Sequence, residues 1–512
     1  MTYLVRILGA LLMLLSIAAA GFAYAQDESN VVDRFAGETR IGSQPPLPIH
    51  LDLRQTGSSV EGTISIPMGG FEIVATRQGG AIAGRFAGAG GEGPLTLIID
   101  ADTMTGTFTL GQAQGVITAQ RTTLDAEAFF KPPEEKLDLT KAQWIEDLDR
   151  LAEILMREHA SPFHRISRQQ FESEVARARA AIPALKGIAV ALEFHRLGAL
   201  IGDGHTGVAL PHDRPRLPVE FFWFKDGLRV VGVSATHQKL LASQLVAVNG
   251  VPVEEALDRL RPFIPAGETE WFVQAAMPAL IADPDVLAAV GLADGPSVAL
   301  SLKETNGERT SIELAATHDT VKQAALGGGE PLWRQNGTKS FWTAALADGS
   351  IYLNWRSYDD LAAHAAALLH DLDAQHPPRL IIDLRDNRGG DFSAGRAFIE
   401  EIKRRPWLRE RGALYVLVGR DTFSAAMTNA VDFKAQTNAI LVGETVGAAP
   451  NNWQEVRRLT LPNSGLRVGV STLRYEFLPG EAELLPDLPV WPEPSDWGAG
   501  QDASLRLILS QP

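Results

Sequence analysis

Residues 380–390 have the sequence LIIDLRDNRGG, and residues 414–426 have the sequence LYVLVGRDTFSAA. Both begin with an apolar run of the kind found in strands that are buried on both faces of a parallel sheet. Further runs at Ile351–Trp355 and Ile440–Val442 alternate with segments that have a helical pattern. This alternation predicts a parallel sheet with helices on both faces in the last third of the chain.

The loops that follow these two strands carry candidate reactive groups, because in such sheets they leave the carboxyl ends of the strands. Gly389-Gly390 lets backbone N–H groups approach a ligand closely, as an oxyanion hole requires. Ser424 lies between a buried strand and a helix, where its hydroxyl would face a cleft. Taken alone, Ser424 is better explained as a helix N-cap, since serine is strongly favoured there. The two loops together favour a nucleophile.

Five segments resemble, in order and rough spacing, the motifs of the S41 peptidases, also called C-terminal-processing or tail-specific proteases. They are DGHT (203–206), IDLRDNRGG (382–390), TFSAA (422–426), VGETVG (442–447) and LPDLPV (485–490). DGHT is similar to the motif of the family's histidine-using branch. The resemblance covers about Leu139 to Ile508 and implies a multidomain α/β protein with a ClpP/crotonase-like βα catalytic core.

The resemblance also implies roles for individual residues. Ser424 would be the nucleophile, and the amides of Gly390 and Ala425 would form the oxyanion hole, with Gly389 shaping the turn. Ser–Lys members of the family keep a lysine just after the Gly-Glu-x-Thr segment, where this chain has Gly447-Ala448-Ala449-Pro450. A serine hydroxyl needs a base to take its proton, and His205 is the natural candidate because imidazole titrates near neutral pH.

The third member of the site is left open between two acidic residues. In the histidine branch, a glutamate a few residues before the Pro-Asp pair has a supporting role. Glu481 lies in that region, although one residue out of register, and Asp203 is its rival. A solvated acidic loop would explain Glu481 equally well.

The other parts of the chain are assigned from periodicity and turn signals. Residues 30–124 alternate apolar and polar side chains between glycine-rich turns, which predicts a small β-barrel or sandwich. Residues 137–207 are predicted to be a helical segment that ends in the histidine motif. Residues 217–320 are β-rich, and a degenerate PDZ-like module and a β insertion are equally compatible with them. Residues 335–510 form the predicted catalytic domain.

The N-terminus predicts export. Arg6 precedes an apolar run and the small-residue pattern Ala23-Tyr24-Ala25, which is typical of a signal peptide spanning residues 1–25. Cleavage would leave 487 residues, 512 minus 25, and a periplasmic or extracellular protein. No later stretch approaches the roughly 18 apolar residues of a membrane helix, so no integral membrane segment is expected after cleavage.

Composition excludes several functions. The formal net charge of −15 disfavours nucleic-acid binding, and the absence of cysteine excludes disulfides and thiolate chemistry. The sequence contains no His-Glu-x-x-His, Rossmann or P-loop motif, so no metal or cofactor is predicted.

Three functions therefore stay open at this stage. The first is a serine peptidase that acts on polypeptides. The second is an inactive binding protein on the same scaffold, since fold does not dictate activity. The third is a crotonase-like acyl-CoA enzyme, although an export signal and an acidic surface count against a CoA ligand.

Overall fold

The computed structural model describes residues 33–42, 47–66, 69–88, 91–111, 113–131, 134–318 and 331–511. The predicted signal segment, residues 1–25, lies outside these ranges. The described residues fall into two compact units, one within Met1–Pro132 and Asp359–Leu368 and the other within Pro133–Tyr358 and Leu369–Pro512. Among the described residues, no helix is both long enough and apolar enough to cross a bilayer.

The first unit contains a closed eight-stranded antiparallel barrel in which each strand pairs with its chain neighbours and β1 pairs with β8. The alternation of apolar and polar residues favours these strands. In β2, Ile49, Leu51 and Leu53 are buried in the interior. Of the two residues between them, Asp52 is more exposed and His50 is buried. The strands are β1 (Asp33–Ile41), β2 (Leu47–Thr56), β3 (Ser59–Ile66), β4 (Gly69–Gln78), β5 (Ala81–Gly88), β6 (Gly91–Asp100), β7 (Thr103–Leu110) and β8 (Ala113–Arg121). A short helix α1 (Ala126–Phe130) follows.

The second unit begins with the predicted helical segment, which contains α2 (Lys141–Glu158), α3 (Arg168–Ala181) and α4 (Ile188–Ala199). The first two helices start at capping boxes, Thr140 with Gln143 and Ser167 with Gln170, as the sequence predicts. Helix α4 ends just before Gly202, and the short strand β9 (Gly207–Val208) follows. The DGHT motif, residues 203–206, is therefore a loop between a helix and a strand.

The middle of this unit is a mainly antiparallel sheet in the order β10-β11-β12-β14-β15, with β13 paired to β12. Its elements are β10 (Val219–Phe224), β11 (Gly227–Val233), β12 (Gln244–Val248), β13 (Val251–Pro252), α5 (Val253–Leu260), α6 (Glu270–Ile281), α7 (Pro284–Ala289), β14 (Ser297–Lys303) and β15 (Arg309–Ala315). The apolar faces of the helices and the sheet share one core.

The last part of the unit is the predicted parallel sheet, in the order β16-β17-β18-β19-β20-β23, with only β16 antiparallel to its neighbour. Every residue of β17, β18, β19 and β20 is buried, which explains their continuous apolar sequence. The elements in this part of the chain are β16 (Phe341–Ala345), β17 (Ile351–Trp355), α8 (Leu361–Gln375), β18 (Leu380–Asp383), α9 (Phe392–Lys403), β19 (Leu414–Val418), α10 (Ala425–Gln436), β20 (Ile440–Gly443), β21 (Trp453–Thr460), β22 (Arg467–Arg474), β23 (Leu488–Pro489), α11 (Pro494–Gly498) and α12 (Ala503–Leu509). The first half of α8, up to Leu368, is assigned to the first unit. The predicted multidomain α/β architecture is confirmed.

One long-range pairing matters for the site. Strand β9 pairs with β22, where Val208 faces Val468, and β22 in turn pairs with β21. Because β9 directly follows residues 203–206, this small sheet fixes the end of the histidine loop against a segment more than 250 positions further along the chain.

Candidate active site

Ser424 occupies a sharp turn between β19 and α10. Its backbone has φ +52° and ψ −124°, a conformation that is strained for a residue with a side chain. Ser424 stands at the N-cap position of α10, but its hydroxyl makes no capping hydrogen bond. Ser424 therefore does not cap the helix with its side chain, and it lies on a sharp strand-to-helix elbow, a geometry that can expose a serine hydroxyl.

Hydrogen bonds join the loop of Ser424 to the loop after β18. Buried Asn387 accepts from the Phe423 amide through its backbone carbonyl at 3.0 Å, and its side chain donates to the Trp355 carbonyl at 2.9 Å. The Thr422 hydroxyl donates to the Leu384 carbonyl at 2.8 Å. These bonds hold the two loops in register at the carboxyl edge of the sheet.

Gly389 packs directly against Ser424. Gly389 has φ +107°, and a Cβ placed on it would lie 2.6 Å from Ser424 Cβ and 3.0 Å from the Ala425 nitrogen. The Gly389 amide donates to Asn387 Oδ1 at 2.9 Å, so it is already used within the turn. Within residues 134–318 and 331–511, no hydrogen bond occupies the amide of Gly390 or of Ala425. These two N–H groups are available to an oxyanion.

His205 stacks on the residue before the nucleophile. Its ring centroid lies 4.6 Å from that of Phe423, with 29° between the ring planes. Both imidazole nitrogens are buried, and neither makes a hydrogen bond of good geometry with a described residue, although the Trp453 backbone lies close enough to favour the protonated ring. Burial lowers the pKa of His205 below its ordinary value, and the charge of Asp203 and the backbone of Trp453 oppose that effect only in part. The imidazole is therefore neutral, as a general base must be.

Asp203 binds the backbone amide of His205 and not the imidazole of His205. Its carboxylate accepts from the His205 amide at 3.0 Å, from Ser471 Oγ at 2.7 Å and from His159 Nε2 at 2.9 Å. Burial disfavours its charge, but the bonds from His159 and Ser471 hold the pKa of Asp203 below its ordinary value. Asp203 is thus an ionised anchor for the loop.

Glu481 lies on an exposed turn, and its backbone carbonyl accepts from Asn451 Nδ2 at 2.8 Å. No described contact joins its carboxylate to His205. Lys434 lies near the far end of α10, where its ammonium pairs with Asp487 at 3.0 Å. This ion pair holds the Lys434 ammonium at the end of α10 that is distant from Ser424.

Two residues contribute to this region in ways that the motifs did not reveal. Arg420, at the start of the nucleophile loop, pairs with Glu444 and donates to the Trp223 carbonyl at 2.7 Å, so it connects three segments. Glu268 precedes α6, and its carboxylate accepts from the amides of Gly204 and Ala449. Only the threonine N-cap after Glu268 is visible in the local sequence, and it indicates a helix start and nothing more.

The comparisons with known proteins agree with this architecture. No protein-family model and no curated protein matches the chain. Among solved structures, mature CPAF complexed with lactacystin matches with a TM-score of 0.50 at 12% identity, over 72% of this chain and 97% of that chain. The chain has the fold of the S41 peptidases. The resemblance predicted from the motifs is confirmed for the fold.

Two further solved structures match the chain with lower TM-scores. The photosystem II D1 C-terminal processing protease has a TM-score of 0.33 at 15% identity, covering 71% of this chain and 99% of that chain. A Bacteroides fragilis protein described as an S41 protease has a TM-score of 0.32 at 13% identity, covering 74% of this chain and 97% of that chain.

Proposed function

We propose that this protein is a serine peptidase in which Ser424 is the nucleophile and His205 is the general base. One observation carries the proposal: a buried imidazole that lacks a well-formed hydrogen bond stacks on Phe423, the neighbour of a strained serine whose hydroxyl is not used as a cap. A buried histidine without a well-formed hydrogen bond is costly to keep, which supports a role in which the imidazole gains a partner when the substrate binds.

The reaction follows from these groups. His205 takes the hydroxyl proton as Ser424 Oγ attacks the peptide carbonyl carbon. The negative charge on the carbonyl oxygen is met by the amides of Gly390 and Ala425, and the latter starts α10, where N–H groups lack intrahelical acceptors. His205 returns the proton to the leaving amine, and water then hydrolyses the acyl-enzyme by the same steps in reverse.

A groove supports a polypeptide substrate. It has a volume of about 460 Å³ and runs from His205 along α6 to Arg388, the neighbour of Gly389. The remainder of its lining is mainly apolar and includes Phe263 and Phe272. A mainly apolar groove beside His205 suits the apolar side chains of a peptide.

A fluorophosphonate probe tests the assignment. The probe should label the protein, mass spectrometry should locate the adduct on Ser424, and Ser424→Ala should abolish labelling and peptide hydrolysis together. A folded wild-type protein that is not labelled would favour a binding protein on this scaffold. Labelling at another residue would refute Ser424 as the nucleophile.

Glu481 is proposed as the third member of the site because of the family resemblance, with Asp203 as its rival. Glu481→Gln and Asp203→Asn, compared by their labelling rates, would separate the two residues. A folded Asp203→Asn variant with an unchanged rate would limit Asp203 to anchoring the loop backbone.

The protein is also proposed to be exported, with the mature chain starting at Gln26. The arrangement of Arg6, an apolar run and Ala23-Tyr24-Ala25 supports this. N-terminal sequencing of the exported protein should return Gln26, and a purified soluble form that retains Met1 would contradict the proposal.

A further inference from the structure

Glu268 joins the loop of His205 to the loop that follows β20. Its Oε1 accepts from the Gly204 amide at 2.9 Å, and its Oε2 accepts from the Ala449 amide at 2.8 Å. Gly204 directly precedes His205, and Ala449 lies in the segment where Ser–Lys relatives would carry their lysine. One carboxylate therefore binds two backbone segments 245 positions apart, the difference between 449 and 204.

The neighbours of Glu268 reinforce this clamp. The Thr269 hydroxyl donates to the Gly447 carbonyl at 2.8 Å and accepts from the Phe272 amide, which fixes the start of α6 to the same loop. A Cβ on Gly267 would lie 1.9 Å from the Gly202 carbonyl oxygen, so the backbones are in close contact there. Residues 267–269 thus hold both loops from one side.

The clamp also determines how closely the histidine loop approaches the nucleophile loop. A Cβ on Gly204 would lie 2.7 Å from the Phe423 ring and 2.9 Å from Glu268 Oε1. Gly204 is therefore wedged between the carboxylate and the residue before Ser424. If Glu268 releases the Gly204 amide, the loop that carries His205 loses its attachment on the Phe423 side and is held by Asp203 and by the β9–β22 pairing.

The protonation state of Glu268 changes the strength of the clamp. Part of the residue reaches the surface, but its carboxyl group is surrounded by protein. The pKa of Glu268 is raised to about 7, mainly by burial and in part by the charge of Asp203. The amides of Ala449 and Gly204 and the charge of Arg165 lower this pKa, but by less. A carboxylate accepts both N–H bonds more strongly than a neutral acid, so the clamp is strongest above pH 7.

We propose that Glu268 is a positioning residue that holds His205 in reach of Ser424 by binding the Gly204 and Ala449 amides. This inference rests on the proposed Ser424–His205 pair. Glu268 acts through the loop backbone and not on the substrate, so its effect is on the rate of the chemical step. A misplacement of about 1 Å in such a group costs on the order of 10²-fold in rate.

The test is the second-order rate of labelling by a fluorophosphonate probe, measured from pH 5 to pH 9 on the full-length protein. Glu268→Gln keeps one acceptor but turns an amide NH₂ toward the other backbone N–H. We expect its labelling rate at pH 8 to fall on the order of 10-fold or more. Glu268→Asp keeps the charge on a shorter side chain, so it should also be slower but should keep the wild-type pH dependence.

Asp147 provides a matched control. Its buried carboxylate also accepts two backbone N–H bonds, from Asn463 at 2.9 Å and Ser464 at 2.8 Å, at a turn that lies outside the catalytic loops. Asp147→Asn should lower thermal stability and leave the labelling rate at pH 8 within about twofold, as expected for a structural clamp away from the reacting groups.

The pH dependence separates positioning from folding. In the wild type, protonation of Glu268 weakens the clamp and protonation of His205 removes the base, so the rate should fall more steeply toward acidic pH than in Glu268→Gln, where only the histidine titrates. A folded Glu268→Gln variant with the wild-type rate and slope would overturn this inference while Ser424 labelling persists. Absence of wild-type labelling would instead refute the proposed function.

Discussion

The strands of the barrel and the strands of the parallel sheet have different structural roles. In the barrel, β1 pairs with β8, so no strand of the sheet is left as an edge. Its interior is filled by apolar side chains such as Phe35, Leu51 and Leu97. In the parallel sheet, the strands are buried on both faces and their carboxyl ends release loops at one edge. Closure produces a self-contained body, whereas the open sheet gathers reactive groups in one place.

The two regions also differ in where strain and unpaired polar atoms occur. The positive-φ residues of the barrel lie in turns or at strand starts, as Gly79 and Gly91 do. In the second unit, Ser424 and Gly389 have positive φ and are packed against each other next to an imidazole that lacks a well-formed hydrogen bond. Strain at a buried junction persists only when the surrounding structure imposes it, which is typical of functional sites.

The largest expected effect comes from comparing two buried histidines, one in each region. His205→Ala should reduce peptide hydrolysis on the order of 10³-fold or more, because it removes the proposed base. His50 is fully buried in the barrel and binds the Leu124 carbonyl at 2.9 Å, so His50→Ala should lower stability and leave the rate unchanged. Both rates and both melting temperatures should be measured. A folded His205→Ala variant with wild-type turnover would refute the assignment of His205 as the general base.

The next largest effect compares two glycines with positive φ. Gly389→Ala should slow labelling about 10²-fold, because the new methyl group would lie against Ser424 and the Ala425 amide in the proposed oxyanion hole. Gly79 has φ +64° and free space around it, so Gly79→Ala should cost only about 1 kcal/mol of stability. Labelling rates and unfolding free energies distinguish the two outcomes. Equal labelling rates would mean that the glycine pair does not shape the reactive centre.

A smaller effect concerns the stability of the second unit as a function of pH. The pKa of Glu268 is raised from 4.5 to about 7, so the folded state binds a proton more tightly than the unfolded state. Its contribution is therefore present below pH 4.5 and is lost as pH rises through 7, on the order of 3 kcal/mol. Thermal unfolding at pH 5 and pH 8 should show a smaller difference for Glu268→Gln than for the wild type. An identical difference would assign the pH dependence to other groups.

The smallest expected effect is that of removing the barrel. Deletion of residues 26–124 should leave fluorophosphonate labelling of Ser424 unchanged, because no sequence motif of the site falls in that region. Circular dichroism would establish that the remaining protein is folded. A folded truncation that is no longer labelled would show that the barrel completes the site, and the contrast between the two regions would then fail.

The sequence by itself determined the local features. Alternation at Ile49, Leu51 and Leu53 specified a strand with one buried face, and the continuous run at Leu414–Val418 specified a strand buried on both. Capping residues placed the starts of α2 and α3. The motif set identified the S41-type fold, the serine on the strand-to-helix turn and the histidine loop, since these depend on residues close together in the chain.

Only the tertiary structure decided which distant groups meet. The choice of a closed barrel over a sandwich depends on the pairing of β1 with β8, about 80 residues apart. The stacking of His205 on Phe423, the attachment of Asp203 to the loop backbone and the clamp formed by Glu268 all join segments that local patterns treat separately. Such contacts depend on how the elements pack, and a periodicity or a capping signal describes only the element that contains it.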